Sequence, residues 1–250
     1  MDTPQPTAEQ MLARVLHRDG LMLVIDKPPG IAVHRGPKGG PNLEASFDAL
    51  RFGLPRPPVL AHRLDRDTSG CLVLGRHRKA TATLGLLFKH GKITKTYWAV
   101  VEGGPSEESG TIDIPLGRLN AERGWWQKPD PAGAPSQTRW RVMGRGEGLT
   151  WLKLEPLTGR THQLRVHCAA MGWPIVGDNI YGSGPRFGEP SLHLHARAIA
   201  IPLSKNKPPV QVVAPVPPHM RERLTACGWS GETSGDETET VVVVNSERHH

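Results

Sequence analysis

The chain has 250 residues, enough to bury one sizeable core and short for two full domains, so one main domain is the expectation. With 31 Lys and Arg against 24 Asp and Glu, the net charge is +7, which favours a polyanionic partner over an acidic one. Three widely spaced cysteines, Cys71, Cys168 and Cys227, argue against a disulfide framework or structural zinc and suit reduced thiols in a cytoplasm. The opening "MDTPQPTAEQ" carries no signal-peptide pattern, and no apolar run approaches the roughly 18 residues of a membrane span, so a cytoplasmic protein is expected.

The charge is unevenly placed. Residues 228–250 hold five acids and one base, leaving 30 basic and 19 acidic side chains in residues 1–227, a net of +11. Three regions follow: an N-terminal arm over 1–20, a basic folded body over 21–227 and a flexible acidic tail over 228–250.

In chain order, "LMLVID" (21–26) reads as a buried strand that stops at "KPPG". Gly and Pro then frame one short helix, "LEASFDALRF" (43–52), with Leu43, Phe47 and Leu50 as its apolar stripe. "AHRLDRDTSG" (61–70) is a turn ahead of a short strand, "CLVLG" (71–75), and "KATATLGLLFKHG" (79–91) is a helix ended by glycine. "KITKTYWAVVEG" (92–103) alternates as a strand with both faces occupied, Tyr97 sharing one face with Ile93, Lys95, Ala99 and Val101. Residues 119–136 read as a long polar loop bearing Trp125 and Trp126, and "GRGEG" (144–148) joins two strands in a hairpin. A helix follows, with Thr161 as N-cap, Leu164, Cys168 and Met171 as its inward stripe and Gly172 as C-cap. Strands over 191–203 and 210–215 and a last helix over 217–226 complete the body. Hairpins outnumber strand–helix alternations, which predicts an α+β fold on a mixed, largely antiparallel sheet flanked by helices and loops.

Two constellations carry chemistry. In the first, Asp65 and Asp67 stand among His62, Arg63 and Arg66. A carboxylate beside arginine is commonly a structural ion pair; at a turn before a buried strand, among cations that favour its ionised form and next to a glycine that permits close approach, it is also a usable nucleophile. Asp67, followed by Thr68 and Ser69, reads as a turn-shaping residue. In the second, "GRTHQLRVH", Arg165 falls in the first turn of a helix, where the dipole disfavours a cation. It is either a solvated or phosphate-contacting residue or an inward guanidinium paired with a buried carboxylate, with Asp65 as the obvious partner. Tyr97 is either a half-buried strand aromatic or a platform for a base, and "RHRK" (76–79) either a solvated helix start or a phosphate contact. His162 and His167 at i, i+5, and His193 and His195 between apolar neighbours, lack metal-ligand spacing, so no metal is expected.

Taken in order over about residues 21–217, "VIDKPPGIAVH", "HRLDRDTSG", "KTYWAVVEG", "GRTHQLRVHCAAMGWPIVGDNIYG" and "LHAR" resemble the RluA-type family of RNA pseudouridine synthases. The resemblance implies the pseudouridine synthase fold and an isomerase that turns specific uridines of structured 23S rRNA or tRNA stem-loops into pseudouridine. It further implies Asp65 as catalytic aspartate, Arg165 as its ion-pair partner and Tyr97 against the target uracil. Arg63 would swing into the RNA, with His62, Arg66, Arg160, His162 and Gln163 as further substrate contacts. No cofactor is implied, because moving a base from N1 to C5 is redox-neutral. The S4-like RNA-binding domain of many relatives has no counterpart here, so target choice is expected to rest on the catalytic domain, acting as a monomer. Loop 119–136 is either an RNA-contacting flap or a peripheral insertion, and the rival activity class is a noncatalytic RNA-binding module using the same basic cleft.

Overall fold

The computed structural model describes residues 4–36, 39–120, 122 and 125–232. Among the described residues ten strands form one sheet. Its spine is β2 (Met22–Lys27), β4 (Ser69–Gly75), β11 (Leu194–Ile201), β5 (Thr94–Glu102), β10 (Leu149–Pro156), β9 (Gln137–Gly146) and β6 (Ser109–Asp113), in that spatial order. At the start of this row β1 (Val15–Arg18) pairs with β2; β3 (Val59–Leu60) adds to β4, and β12 (Val210–Val213) to β11. Every pairing in this sheet is antiparallel except β4 with β11. The fold is therefore the α+β, largely antiparallel arrangement expected, with one parallel seam at its centre.

The seam explains a glycine. His195 and Ala196 lie beside Ser69 and Gly70, and a Cβ on Gly70, whose φ is 105°, would run into the Ala196 carbonyl. β4 is buried along its whole length, as a central strand with both faces covered must be. β5 is occupied on both faces as expected: Tyr97, Ala99 and Val101 pack toward α3 (Gln163–Ala170), while Trp98 and Val100 pack against α4 (Pro218–Ala226). Between β9 and β10, Glu147 (φ 55°) and Gly148 (φ 74°) make the tight two-residue turn that the hairpin pattern called for.

Several expectations change. Ordered structure begins before Gly20: α1 (Ala8–Leu12) carries a Thr7–Gln10 capping box and buries Met11, and Gln5 exchanges hydrogen bonds with the backbone of Asn42. One buried side chain and an edge strand of mixed polarity leave no periodicity to read. Residues 43–50 form a 3₁₀ helix rather than an α-helix, with the expected Leu43, Phe47 and Leu50 inward. α2 (Arg78–Lys89) starts from His77, whose ring accepts the Ala80 N–H. In α3 the cap is His162 instead of Thr161, Met171 is exposed, and every residue from Gln163 to Cys168 is buried, so this helix runs through the interior instead of lying on it. The 119–136 loop contains β8 (Gln127–Pro129), which pairs with β7 (Leu116–Arg118) in a separate ribbon. At the other end, Trp229 is buried against Val216 and Leu224, and Glu232 pairs with buried Arg197 at 2.7 Å, which makes 228–232 part of the body. The rest of the expected tail, from residue 233, lies outside the described residues. No helix among the described residues is long and apolar enough to cross a membrane.

Candidate active site

The loop before β4 is built onto the turn that ends β2. The Lys27 side chain is wholly buried, and its Nζ donates to the carbonyls of Pro28 (2.8 Å), Arg66 (2.7 Å) and Thr68 (2.8 Å). Burial pulls the Lys27 ammonium down to about 7, against the Asp67 and Asp65 carboxylates, which favour its proton. The Gly30 N–H donates to the Arg66 carbonyl and Arg66 Nε returns a bond to the Gly30 carbonyl. The Thr68 N–H closes a turn on the Asp65 carbonyl, and Leu64 is sunk in the core beneath it. Asp65 is thereby held on a rigid backbone with its side chain 29% exposed.

What faces it comes from the other half of the sheet. His162 Nε2 lies 3.8 Å from Asp65 Oδ2. Tyr97 projects from β5; burial raises its hydroxyl pKa well above the ordinary tyrosine value, and the Asp65 charge adds to the shift. Beside Tyr97, away from Asp65, the interior leaves only a small closed gap lined by His62, Cys71, Lys95 and Ala196. Lys95 is pushed below its ordinary pKa by burial and reaches the Thr158 carbonyl at 3.4 Å.

The expected pairing of Arg165 with Asp65 is corrected. Arg165 Nε and Nη2 make a two-pronged contact to Asp178 Oδ2 and Oδ1, at 2.9 and 2.7 Å, with both side chains almost fully buried. Asp178 Oδ1 also accepts the N–H groups of Ile180 and Tyr181. Burial disfavours the Asp178 charge, but the Arg165 fork and these two donors hold its pKa below the ordinary carboxylate value. The Asp65 and Asp67 charges still act on Arg165, behind burial and Asp178 in influence, so it is a neighbour of the carboxylates without being their ligand.

The remaining residues separate. His62 is not one of the cations around Asp65: its Nε2 accepts the Val73 N–H at 3.0 Å, its ring stacks on Phe88, and burial with the Lys95 charge drives its pKa to about 3. The Gln163 amide is saturated by Thr158, the Arg160 N–H, the Gln137 carbonyl and Thr138, which assigns it to the framework instead of to a substrate. Arg63 is exposed and, among the described residues, engages no ion pair. Arg160 is exposed with Nε on the Pro135 carbonyl, and Arg66, half exposed, lies 3.8 Å from Asp67. Asp67 thus lies beside its own loop, in keeping with a turn-shaping role. Trp125 is 58% exposed and sets its edge against His162, 5.3 Å between ring centroids, so the 119–136 insertion ends at this site.

Lys27, Asp178 and Tyr181 were not singled out from sequence. Each stands inside a motif that was: Lys27 in "VIDKPPGIAVH", the other two in "GDNIYG". A lysine next to a turn is ordinarily solvated, and nothing in local spacing distinguishes one that is buried.

Comparison with known proteins agrees with this architecture. The family model described as RNA pseudouridylate synthase matches residues 21–170. The chain is 41% identical over 206 residues to an uncharacterized RNA pseudouridine synthase of Zymomonas mobilis, covering 82% of this chain and 94% of that protein. It is 34% identical over 220 residues to ribosomal large subunit pseudouridine synthase C of Vibrio cholerae, covering 84% and 68%. Among solved structures, human RNA pseudouridylate synthase domain containing 4 matches with a TM-score of 0.73 at 26% identity, over 87% of this chain and 95% of that one. Human RNA pseudouridylate synthase domain containing 1 matches with a TM-score of 0.69 at 30% identity, over 86% and 87%. This α+β sheet with one parallel seam is the pseudouridine synthase fold, and the family that matches is one of RNA-modifying isomerases. The chain belongs to the RNA pseudouridine synthase family, in its RluA-type branch.

Proposed function

We propose that Asp65 is the nucleophile of this pseudouridine synthase and that its substrate is a uridine flipped out of a structured stem-loop in ribosomal or transfer RNA. The observation that carries the reading is the rigid presentation of Asp65: a partly exposed carboxylate on a loop locked by Lys27, opposite Tyr97 and His162. Isomerisation breaks N1–C1′ and forms C5–C1′; C5 gives up its proton and N1 regains one, so the balance closes without an oxidant or a transferred group. Asp65 acts at the sugar, by attack on C1′; a route that first removes the C2′ proton and passes through a glycal uses the same carboxylate. Tyr97 lies against the uracil and Arg165 holds the wall behind it.

A base in a helix cannot reach Asp65, and extrusion costs a few kcal/mol, offset by stacking and phosphate contacts. Arg63, Arg66 and Arg160 are exposed guanidinium groups around the site and take the phosphates, with Arg63 entering the space the uridine leaves. Trp125 stacks on a neighbouring nucleotide. The name of the Vibrio cholerae relative favours ribosomal large-subunit RNA over tRNA as the first substrate to try.

The test is tritium release from [5-³H]uridine-labelled 23S rRNA and tRNA. Wild type releases tritium from one of them, and Asp65→Asn releases none while binding that RNA with similar affinity. Undiminished turnover by Asp65→Asn would remove the carboxylate from the chemistry.

A further inference from the structure

His162 occupies an unusual place. It precedes α3 with φ 53° and ψ 17°, a left-handed backbone that side chains other than glycine and asparagine rarely adopt, and it caps no helix N–H. Its ring is 8% exposed and packed edge-on between Trp125 and Tyr181. Three polar contacts define its orientation. Nε2 points toward Asp65 Oδ2 at 3.8 Å; Nδ1 lies 2.8 Å from the Tyr181 hydroxyl; and that hydroxyl oxygen accepts the Gln127 N–H at 2.9 Å.

One set of protons makes all three contacts attractive. A carboxylate only accepts, so the His162 nitrogen facing Asp65 can serve it only when that nitrogen carries the hydrogen. Burial keeps the imidazole below its ordinary pKa even though Asp65 works in the opposite direction, so the ring is neutral, and with its hydrogen on Nε2 the Nδ1 is bare. The Tyr181 hydroxyl then donates to Nδ1, and the Gln127 N–H occupies the other side of the hydroxyl oxygen. Tyr181 is itself held by its backbone N–H to Asp178, the residue that clasps Arg165.

We infer that Gln127, Tyr181 and His162 form a relay that orients Asp65, with His162 Nε2–H holding Oδ2 in the substrate complex and leaving Oδ1 for the sugar. The inference rests on the reading of Asp65 as nucleophile. His162 and Tyr181 are positioning residues on this account, not substrate contacts. At 3.8 Å the His162–Asp65 contact is longer than a hydrogen bond, and it closes when RNA fills the site, as contacts of this kind tighten on substrate binding. The relay also ties Asp65 to the Trp125 loop, because Gln127 begins the strand on which that loop ends.

Tyr181→Phe deletes one hydroxyl and keeps the ring. Its kcat on the responsive RNA should fall about 100-fold, the scale of an ångström-sized misplacement, with KM within about twofold. Nitrogen-15 spectra of the imidazoles should place the wild-type His162 proton on Nε2 and show mixed tautomers in Tyr181→Phe. His162→Gln, which can present an amide N–H toward Asp65, should keep at least about tenfold more kcat than His162→Leu. Wild-type turnover by Tyr181→Phe with Asp65→Asn inactive would overturn the relay and leave the nucleophile in place. An Nδ1–H tautomer in wild-type protein would overturn it without any variant. Activity in Asp65→Asn would instead overturn the reading on which the relay depends.

Discussion

The two walls of the site are held by different means. The Asp65 wall is fastened by backbone: three carbonyls converge on one buried ammonium, and two glycines allow the turns to meet, Gly30 at the β2 end and Gly70 against β11. The opposite wall is fastened by side chains, with Arg165, Asp178, Tyr181 and His162 joined through hydrogen bonds and tied to Gln127, 54 residues from Tyr181. A backbone-fastened loop carries whatever side chain stands on it with little adjustment, whereas a side-chain network fixes proton positions as well as atoms. The contrast suits the proposed reaction, in which one fixed carboxylate acts at the sugar while the base detaches, turns and rejoins.

The sharpest way to break the contrast is to cut the side-chain wall at its most buried pair. Arg165→Met strands Asp178 in the interior, where an uncompensated charge costs about 3–5 kcal/mol, read as a lowered urea midpoint. Adding Asp178→Asn, which keeps acceptors for the Ile180 and Tyr181 N–H groups, should return much of that stability without restoring turnover. Equal loss in both variants would mean that the contact is packing and not charge.

On the Asp65 wall the corresponding cut is Lys27→Met. It leaves the Pro28, Arg66 and Thr68 carbonyls without their ammonium donor, a loss of about 2–3 kcal/mol at roughly one per hydrogen bond. Since the whole loop hangs on this residue, kcat should fall along with the thermal midpoint. A variant that melts early but turns over normally when cold would detach the ammonium from the geometry of Asp65.

The walls should also separate by pH. His195 accepts from Ser69 Oγ on the Asp65 side of the seam, and burial lowers its pKa to about 4. The unfolded chain, with an ordinary histidine, binds that proton first as pH falls, so the stability His195 contributes is complete above about 6.5 and lost on the way down to 4, on the order of 3 kcal/mol. Asp178, with a pKa below its ordinary value, contributes stability that is complete above the unfolded carboxylate range and is lost as pH falls from there through its lower folded value, below the window of His195. Urea midpoints taken from pH 7.5 to 4 should therefore slope in wild type and slope less steeply in His195→Asn, whose amide oxygen can accept from Ser69, the remaining slope coming from His62 and the other histidines that burial depresses.

How much of this could be read from sequence follows the same division. The strands of the centre were legible because apolar runs such as "LMLVID" and "CLVLG" admit little else, and the β9–β10 turn because Glu147-Gly148 sits between two alternating segments. The turn that carries Asp65 was legible because its motif is local. The short pieces, α1, β1 and the β7–β8 ribbon, carry too few apolar residues to impose a period. Arg165 was recognised as a misplaced cation that needs a carboxylate, but periodicity does not say which one; Asp178, 13 residues away across a Gly-Pro-rich turn, wins over Asp65 because it can meet both prongs of the guanidinium. His62 failed as a cation for a related reason: charge read from sequence assumes water, and a ring that stacks on Phe88 and accepts a backbone N–H is not in water.

Trp125 belongs to neither wall, which makes it the finest probe of the contrast. Its indole is 58% exposed and leans on His162 by one edge, so removing it takes away little buried area. If its exposed face stacks on a nucleotide beside the flipped uridine, Trp125→Ala should weaken RNA binding by about 1–2 kcal/mol, close to tenfold or more in Kd, with the thermal midpoint unchanged. Trp125→Phe should recover most of the affinity, because stacking needs a flat ring and not the indole N–H. A loss of kcat at saturating RNA with Kd intact would place Trp125 with His162 as part of the side-chain wall instead. An effect on neither would make the insertion a peripheral one, and the aromatic edge against His162 a packing contact.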